Sequence, residues 1–145
     1  GNSTAIRLGD KELSYEKLEL QSNQLANYLL SKHVIPGKTR IAVAFPRSFD
    51  AFVAILAILK SGAAYVPLDL NLPYSRLEYI IKDSEVSLIL THEVYLSLFR
   101  KLSASIAIDQ EKEIWLSGID KVHEVSRTLD DLAYIIYTSG STGQP

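Results

Sequence analysis

Hydrophobic and polar positions along the first part of the chain change from a short alternating spacing to a helical one. Thr4 to Leu8 and Lys11 to Leu13 flank Gly9-Asp10, a pair that favours turns, which predicts a small β-hairpin. Ser14 suits the start of a helix, because its hydroxyl can accept a hydrogen bond from an unpaired backbone N–H. This helix is predicted to end near Lys32-His33. Its apolar face holds Leu18, Leu25, Ala26 and Leu29.

Apolar runs of strand length alternate with helical segments through the middle of the chain. The predicted strands are Arg40 to Phe45, Ala63 to Leu68, Glu85 to Thr91 and Ser105 to Ile108. The predicted helices run from Ser48 or Asp50 to Leu59 with Gly62 as the cap, from Pro73 to about Ser84, and from Glu93 to Leu102. This alternation predicts an α/β fold with a mostly parallel sheet and flanking helices.

Two segments give more specific expectations. The helix ending at Leu59 has apolar side chains on nearly every side, so it is expected to be sandwiched in the interior. The stretch from Asp109 to Asp131 is charged and irregular, and it is predicted to be mostly loop with a short strand around Ile114 to Leu116. Ala133 to Thr138 is predicted to be the final strand.

Composition narrows the class of protein. The chain has 145 residues, the size of one domain, and is 47% hydrophobic and 22% charged, which favours a packed core over disorder. Its net charge of −2 does not favour nucleic acid as a partner. It has no cysteine, its three histidines are far apart, and no apolar run reaches the length of a membrane span. We therefore expect no metal site and no membrane contact, and we expect a cytoplasmic location.

The segment from Leu132 to Pro145 carries the strongest chemical signal. An apolar run, predicted to be a strand, passes directly into Thr138, Ser139, Gly140, Ser141, Thr142 and Gly143. Glycines let the backbone approach a ligand closely, and successive N–H groups and hydroxyls suit phosphate oxygens. The spacing is not that of a Walker A loop or of a dinucleotide-binding motif. From loop composition alone, a flexible loop without a ligand is an equally good interpretation.

Three segments in order resemble the adenylate-forming superfamily. Leu132 to Pro145 resembles its phosphate-loop signature. Leu59 to Asp69, with the sequence Leu-Lys-Ser-Gly-Ala-Ala-Tyr-Val-Pro-Leu-Asp, resembles the second core motif of the adenylation domains of nonribosomal peptide synthetases, and Leu13 to Leu18 resembles the first. The Ala-Tyr-Val-Pro-Leu-Asp form favours the amino-acid-activating branch. The resemblance covers essentially the whole chain and implies the N-terminal subdomain of an adenylate-forming enzyme core.

The resemblance implies an activity for a longer parent protein. Members of this group join an amino acid to ATP, release pyrophosphate, and pass the aminoacyl group to the phosphopantetheine thiol of a carrier protein. The loop residues 138–143 would hold the ATP phosphates, with Mg²⁺ sharing the charge. Residues 1–145 are expected to be the N-terminal part of such a domain, truncated within this loop, with no catalytic or metal-binding residue and no tightly bound cofactor.

Activity of the 145 residues alone is therefore not expected. The expected partners are the carrier protein and the remainder of the domain, and self-association through the cut face is a further expectation. The alternatives are a naturally truncated, noncatalytic scaffold or interaction module, part of a D-alanine–carrier-protein ligase, or an unrelated α/β nucleotide-binding domain.

The remaining polar residues give weaker expectations. Arg47 follows a predicted strand on the same side as the terminal loop and is a minor site candidate. His92 is expected to be an ordinary loop residue, and Trp115 is expected to anchor a loop. Lys60, like Lys82 and Lys101, is expected on the solvated surface.

Overall fold

The N-terminal hairpin and the helix after it form where the sequence predicts them. The computed structural model describes residues 3–117. Within them, β1 (Thr4–Leu8) pairs with β2 (Lys11–Ser14) in antiparallel fashion, and α1 spans Tyr15–Ser31. The Ser14 hydroxyl accepts a hydrogen bond from the Lys17 amide at 3.2 Å. The predicted N-cap is therefore confirmed.

Strands and helices then alternate as predicted. The strands are β3 (Arg40–Ala44), β4 (Ala64–Pro67), β5 (Leu88–Thr91) and β6 (Ser105–Ala107). The helices are α2 (Phe49–Lys60), α3 (Tyr74–Ser84), α4 (Leu96–Phe99), which follows a 3₁₀ turn over Glu93–Tyr95, and α5 (Lys112–Leu116). The four strands are all parallel and lie side by side in the order β4-β3-β5-β6. The predicted α/β class, a parallel sheet with flanking helices, is confirmed.

Alternate residues of the central strand β3 point to opposite layers of helices. Ile41 and Val43 belong to the core formed with α1, α2 and α5, whereas Ala42 and Ala44 belong to the core formed with α3 and α4. All four residues are buried, which explains why β3 is a continuous apolar run without polar alternation. No helix among residues 3–117 is both long enough and apolar enough to cross a membrane.

The edge strand β4 is protected by its last residue. Ala64 and Leu68 donate their backbone N–H groups toward β3. Because the backbone direction alternates along a strand, the nitrogens of residues 65 and 67 face away from β3. Pro67 is one of these, and it has no N–H to offer a further strand. This protection covers one part of the sheet edge, and the self-association expected from the sequence stays a prediction.

Two predicted boundaries were wrong. The strand predicted from Glu85 begins only at Leu88, because Glu85 has a left-handed backbone (φ 56°) that ends α3. The helix predicted from Glu93 to Leu102 is divided into the 3₁₀ turn and the short α4. Helix α2 packs between the sheet and α1, as the sequence predicts, although 43% of Phe52 is exposed.

The segment around Trp115 was also predicted wrongly, because Ile114 to Leu116 lies in helix α5 and not in a strand. Only 1% of Trp115 is exposed, and its indole Nε1 donates to the Ile108 carbonyl at 2.8 Å. Trp115 thus belongs to the main core and anchors a helix. Because the residues around Trp115 are charged, hydrophobic periodicity gives no signal for this single buried side chain.

Lys60 corrects a further expectation. Only 1% of this side chain is exposed, while Lys82 and Lys101 are exposed as predicted. The Lys60 ammonium forms an ion pair with Glu19 and donates to the Asn23 side chain at 2.7 Å. Burial lowers the pKa of Lys60, and the contact with Glu19 opposes this shift. The group therefore links α2 to α1 as a partnered charge.

Replacing Glu19 with glutamine is expected to lower the free energy of unfolding by about 1–3 kcal/mol, because it leaves a buried ammonium without its carboxylate. Lys60→Met should cost less than Glu19→Gln, since it removes the buried charge together with the need for a partner. Urea denaturation of both variants and of the double variant provides the comparison. Equal losses from the two single variants would contradict this account.

The same pair predicts a pH dependence. Because the folded chain lowers the pKa of Lys60, the unfolded chain binds more protons in the window just below pH 10.5. The contribution of Lys60 to the free energy of unfolding should therefore become more favourable as the pH rises through that window. The Lys60→Met variant should lack this contribution to the dependence of the free energy of unfolding on pH.

Candidate functional site

The carboxyl edge of the sheet has one point where the strand order reverses. From β3 the chain crosses to β4 on one side, and it then returns to β5 on the other side of β3. In open α/β sheets, ligands bind in the crevice beyond the carboxyl ends of strands at such a point. The loop after β3 and the residue after β5 therefore form the candidate site within the described part of the chain.

Three polar side chains from distant parts of the sequence meet at this edge. His92 follows β5 directly, and its Nε2 lies 2.8 Å from Oδ2 of Asp50 in the first turn of α2. Lys112 of α5 places its Nζ 3.7 Å from the other oxygen of Asp50. The His92 ring also packs edge to face against Phe45, with ring centroids 4.9 Å apart. We refer to Asp50, His92 and Lys112 as the edge cluster.

The edge cluster satisfies its own charges. Asp50 lies near the N-terminus of α2, where the helix dipole favours a carboxylate, and only 18% of its side chain is exposed. Asp50 lies between the two basic side chains, 2.8 Å from His92 and 3.7 Å from Lys112, so its carboxylate offsets the ammonium of Lys112. The cluster therefore lacks the excess positive charge that would by itself bind a phosphate group.

The edge cluster does hold the loop between β3 and α2 in one position. His92 contacts Phe45 at the start of this loop and Asp50 just beyond its end. Within the loop, the Ser48 hydroxyl donates to the Pro46 carbonyl at 2.9 Å and accepts from the Ala51 amide at 3.3 Å. The arrangement thus fixes the position of the loop that follows β3 at the carboxyl edge of the sheet.

The residues that the sequence nominated lie in different places. Thr138, Ser139, Gly140, Ser141, Thr142 and Gly143 all lie outside the described residues, so their role stays a prediction. Arg47 is exposed in the loop after β3 and forms no ion pair with any residue of 3–117. Asp69, the last residue of the second motif segment, lies in a turn, because its carboxylate accepts the Asn71 amide at 2.9 Å.

Sequence reasoning missed the pairing of His92 with Asp50. His92 directly follows one predicted strand, and Asp50 follows the loop after another, so each position by itself is consistent with a place at the carboxyl edge of the sheet. The missing information was the strand order: β3 and β5 are neighbours although β4 lies between them in sequence. Contact between His92 and Asp50 cannot be predicted without knowing that β3 and β5 are neighbours in the sheet.

Metal-binding groups are not found in the described part of the chain. Residues 3–117 contain no group of three or more histidine, cysteine, aspartate or glutamate side chains that could hold an ion. We assign none of the described residues to the Mg²⁺ site that the resemblance implies for the parent protein.

Comparison with known sequences gives a match along the whole chain. The family model described as AMP-binding enzyme matches residues 1–145. Gramicidin S synthase 1 from Brevibacillus brevis is 38% identical over 147 residues, an alignment that covers 99% of this chain and 13% of that protein. Bacitracin synthase 3 from Bacillus licheniformis is 41% identical over 147 residues, covering 99% of this chain and 2% of that protein. The chain thus spans only a small part of these relatives.

Comparison with solved structures supports the same fold. VinN in complex with 3-methylaspartate superimposes with a TM-score of 0.76 at 21% identity, covering 88% of this chain and 36% of that one. Unliganded o-succinylbenzoate coenzyme A synthetase from Bacillus subtilis gives 0.73 at 18% identity, covering 85% of this chain and 26% of that one. At these identities the likeness concerns the fold alone.

Proposed function

Because the chain belongs to the AMP-binding enzyme family, we propose that it forms part of an amino-acid-activating adenylation domain of a nonribosomal peptide synthetase. One observation carries this proposal. Identity of about 40% to peptide synthases named for gramicidin and bacitracin extends over nearly the whole chain, including the three segments that resemble core motifs. The parallel sheet, with a reversal of strand order at its carboxyl edge, is a suitable framework for such a site.

The proposed reaction has two steps. The carboxylate of an amino acid attacks the α-phosphorus of ATP, which forms an aminoacyl adenylate and releases pyrophosphate. The phosphopantetheine thiol of a carrier protein then displaces AMP and forms a thioester. Amino acid carboxylates are already ionised at neutral pH, so the first step needs no general base, and catalysis consists of positioning and charge stabilisation.

We assign the phosphate contacts to Thr138, Ser139, Gly140, Ser141, Thr142 and Gly143. Hydroxyls and glycine-flanked N–H groups in this order can surround the oxygens of the β- and γ-phosphates. The edge cluster has a different role in this proposal, since it fixes the position of the loop that follows β3. No residue of the described part is assigned to the chemistry.

The small share of each relative that the chain spans supports a second part of the proposal. We infer that the 145 residues do not catalyse adenylation by themselves and that further parts of an adenylation domain are needed, together with the carrier protein. An alignment covering 36% of VinN is consistent with a single subdomain. The amino acid that is activated is not assigned.

A chimera tests both parts. The matching segment of gramicidin S synthase 1 is replaced with these 145 residues, and ATP–pyrophosphate exchange is measured with a panel of amino acids, fatty acids and aryl acids. We expect exchange with an amino acid in the chimera and none with the 145-residue chain alone. Robust exchange by the chain alone would refute the second part. A cooperatively folded chimera that activates only fatty or aryl acids would refute the first.

The terminal loop gives a sharper prediction in the same chimera. Thr142→Val removes a hydroxyl at constant shape, and it is expected to lower the exchange rate by about tenfold or more if that hydroxyl contacts a phosphate. Ser97→Ala, an exposed hydroxyl on α4, is the matched control and should leave the rate unchanged. An equal rate for Thr142→Val and the unmodified chimera would remove Thr142 from the assignment.

A further inference from the structure

The loop between β3 and α2 has a short tip at the carboxyl edge of the sheet. The tip consists of Pro46, Arg47 and Ser48, and it follows the central strand at the point where the strand order reverses. Pro46 and Arg47 are exposed, whereas the Ser48 hydroxyl caps α2. Loops at this position in open α/β sheets commonly contact ligands. The tip therefore places one cationic side chain, that of Arg47, at this edge.

Two consecutive residues at the end of β5 hold both ends of this loop. The Thr91 hydroxyl, which is fully buried, donates to the Ala44 carbonyl at 2.7 Å, at the end of β3. His92 packs its ring against Phe45 and places Nε2 2.8 Å from the Asp50 carboxylate. Contacts at both ends leave the tip little freedom to move. The loop is therefore pre-organised, as a binding residue on a loop requires.

The Arg47 guanidinium forms neither an ion pair nor a cation–π contact within residues 3–117. Three other arginines have such partners: Arg7 with Glu12, Arg40 with Glu85, and Arg76 with the Tyr79 ring. The acidic residue that follows Arg47, Asp50, is already shared by His92 and Lys112. The charge of Arg47 is therefore available for an anion from outside the described residues.

The chemistry of Arg47 fits a phosphate group. A guanidinium is always charged near neutral pH, and its planar fork can donate two parallel hydrogen bonds to phosphate oxygens. The N-terminus of α2 next to it is a poorer anion site, because the Asp50 carboxylate already lies in its first turn. The proposed reaction uses two reactants with phosphate groups, ATP and the phosphopantetheine arm of the carrier protein.

We propose that Arg47 binds a phosphate group of one of these two reactants, and that Thr91 and His92 are positioning residues that hold its loop. The inference rests on the proposed function, which supplies the phosphate. Arg47 contributes charge-assisted hydrogen bonds and takes no part in making or breaking bonds.

Arg47→Gln in the gramicidin S synthase 1 chimera tests the phosphate contact, because it removes the charge and the fork. If the phosphate belongs to ATP, the KM for ATP in ATP–pyrophosphate exchange is expected to rise about tenfold or more. If it belongs to the carrier arm, exchange stays unchanged and thioester formation with free phosphopantetheine falls about tenfold. Thioester formation with pantetheine, which lacks the phosphate, should then be unaffected.

Arg100→Gln is the matched control. Arg100 is exposed at the end of α4, away from the carboxyl edge cluster, and it also forms no ion pair within residues 3–117. Its substitution should leave both reactions unchanged, and equal losses for Arg47 and Arg100 would reduce the effect to general charge. An active chimera in which Arg47→Gln changes neither reaction would refute this inference and leave the proposed function intact. A folded chimera without amino-acid-dependent exchange would refute the proposed function, and this inference with it.

His92→Ala tests the positioning role. It removes the contacts with Phe45 and Asp50, and it is expected to weaken the same kinetic parameter as Arg47→Gln by about three- to tenfold. Because His92 acts through Arg47, the substitution should have little further effect in the Arg47→Gln background. Thermal unfolding establishes that each variant is folded. Equal losses in the two backgrounds would show that His92 has only a structural role.

Discussion

Trp115→Ala is expected to lower the free energy of unfolding by about 3–5 kcal/mol, the range typical of a buried tryptophan. Only 1% of the side chain is exposed, and it belongs to the core cluster that includes residues of β3, α1 and α2. The substitution also leaves the Ile108 carbonyl without the indole donor. A loss of this size is a large fraction of the stability of a small domain. Urea denaturation followed by far-ultraviolet circular dichroism measures it.

The neighbouring Ile114 is the matched control. It lies in the same five-residue helix but is 60% exposed, so Ile114→Ala should change the free energy of unfolding by no more than about 0.5 kcal/mol. Trp115→Phe separates packing from hydrogen bonding, because it retains an aromatic ring without the N–H. A loss below about 1 kcal/mol for Trp115→Ala would contradict its role as the anchor of α5.

Gly62→Ala is the second substitution with a large expected effect, about 3 kcal/mol of lost stability. Gly62 has a left-handed backbone (φ 84°), in which an L-residue costs about 1–2 kcal/mol. A Cβ at this position would lie 2.8 Å from the Pro36 Cβ and 3.1 Å from the Pro36 Cα. The Pro36 ring and backbone cannot simply rotate away, so the contact adds the cost of overpacking, about 1–3 kcal/mol.

The position of Gly62 explains why the backbone cannot relax. Its N–H donates to the Leu59 carbonyl and the next N–H, of Ala63, donates to Ile58, which together terminate α2 in a Schellman motif. Its carbonyl accepts the Gly37 amide at 2.9 Å. These hydrogen bonds hold Gly62 against the loop that precedes β3.

Gly37 offers a control that separates the two costs. It has a similar left-handed backbone (φ 80°), but a Cβ there would meet no atom within 4 Å. Gly37→Ala should therefore cost only the conformational term, about 1–2 kcal/mol. Denaturation of both variants under the same conditions gives the cost of the Pro36 contact as the difference. Equal losses would show that this contact relaxes freely.

Local sequence signals predicted most of the elements correctly. Ser14 and Ser48 both cap helices through their hydroxyls, and Gly62 ends α2, because caps depend on backbone groups within a few residues. The continuous apolar run of β3 predicted a strand covered on both faces, and the alternation of elements predicted the parallel sheet. These features are encoded by neighbouring residues, so they can be read without knowing the fold.

The wrong predictions involve residues whose environment comes from distant segments. Lys60 was expected on the surface, but Glu19 and Asn23 of α1 provide its partners across the α1–α2 contact. Trp115 was read as a loop residue because its own neighbours are charged, although its packing partners lie in other elements. Periodicity cannot detect a single buried anchor in a five-residue helix.

The sequence by itself determined the class of fold, the order of the elements and membership of the AMP-binding enzyme family, because capping residues, apolar runs and family motifs are all local in the chain. Only the tertiary structure decided which side chains meet. The order β4-β3-β5-β6 brings His92 to Asp50 at the carboxyl edge, and the packing of α5 on α1 brings the Gln24 amide to the Leu116 carbonyl. The physical reason is that such contacts depend on the alignment of elements far apart in the chain: His92 and Asp50 are 42 residues apart, and Gln24 and Leu116 are 92 residues apart.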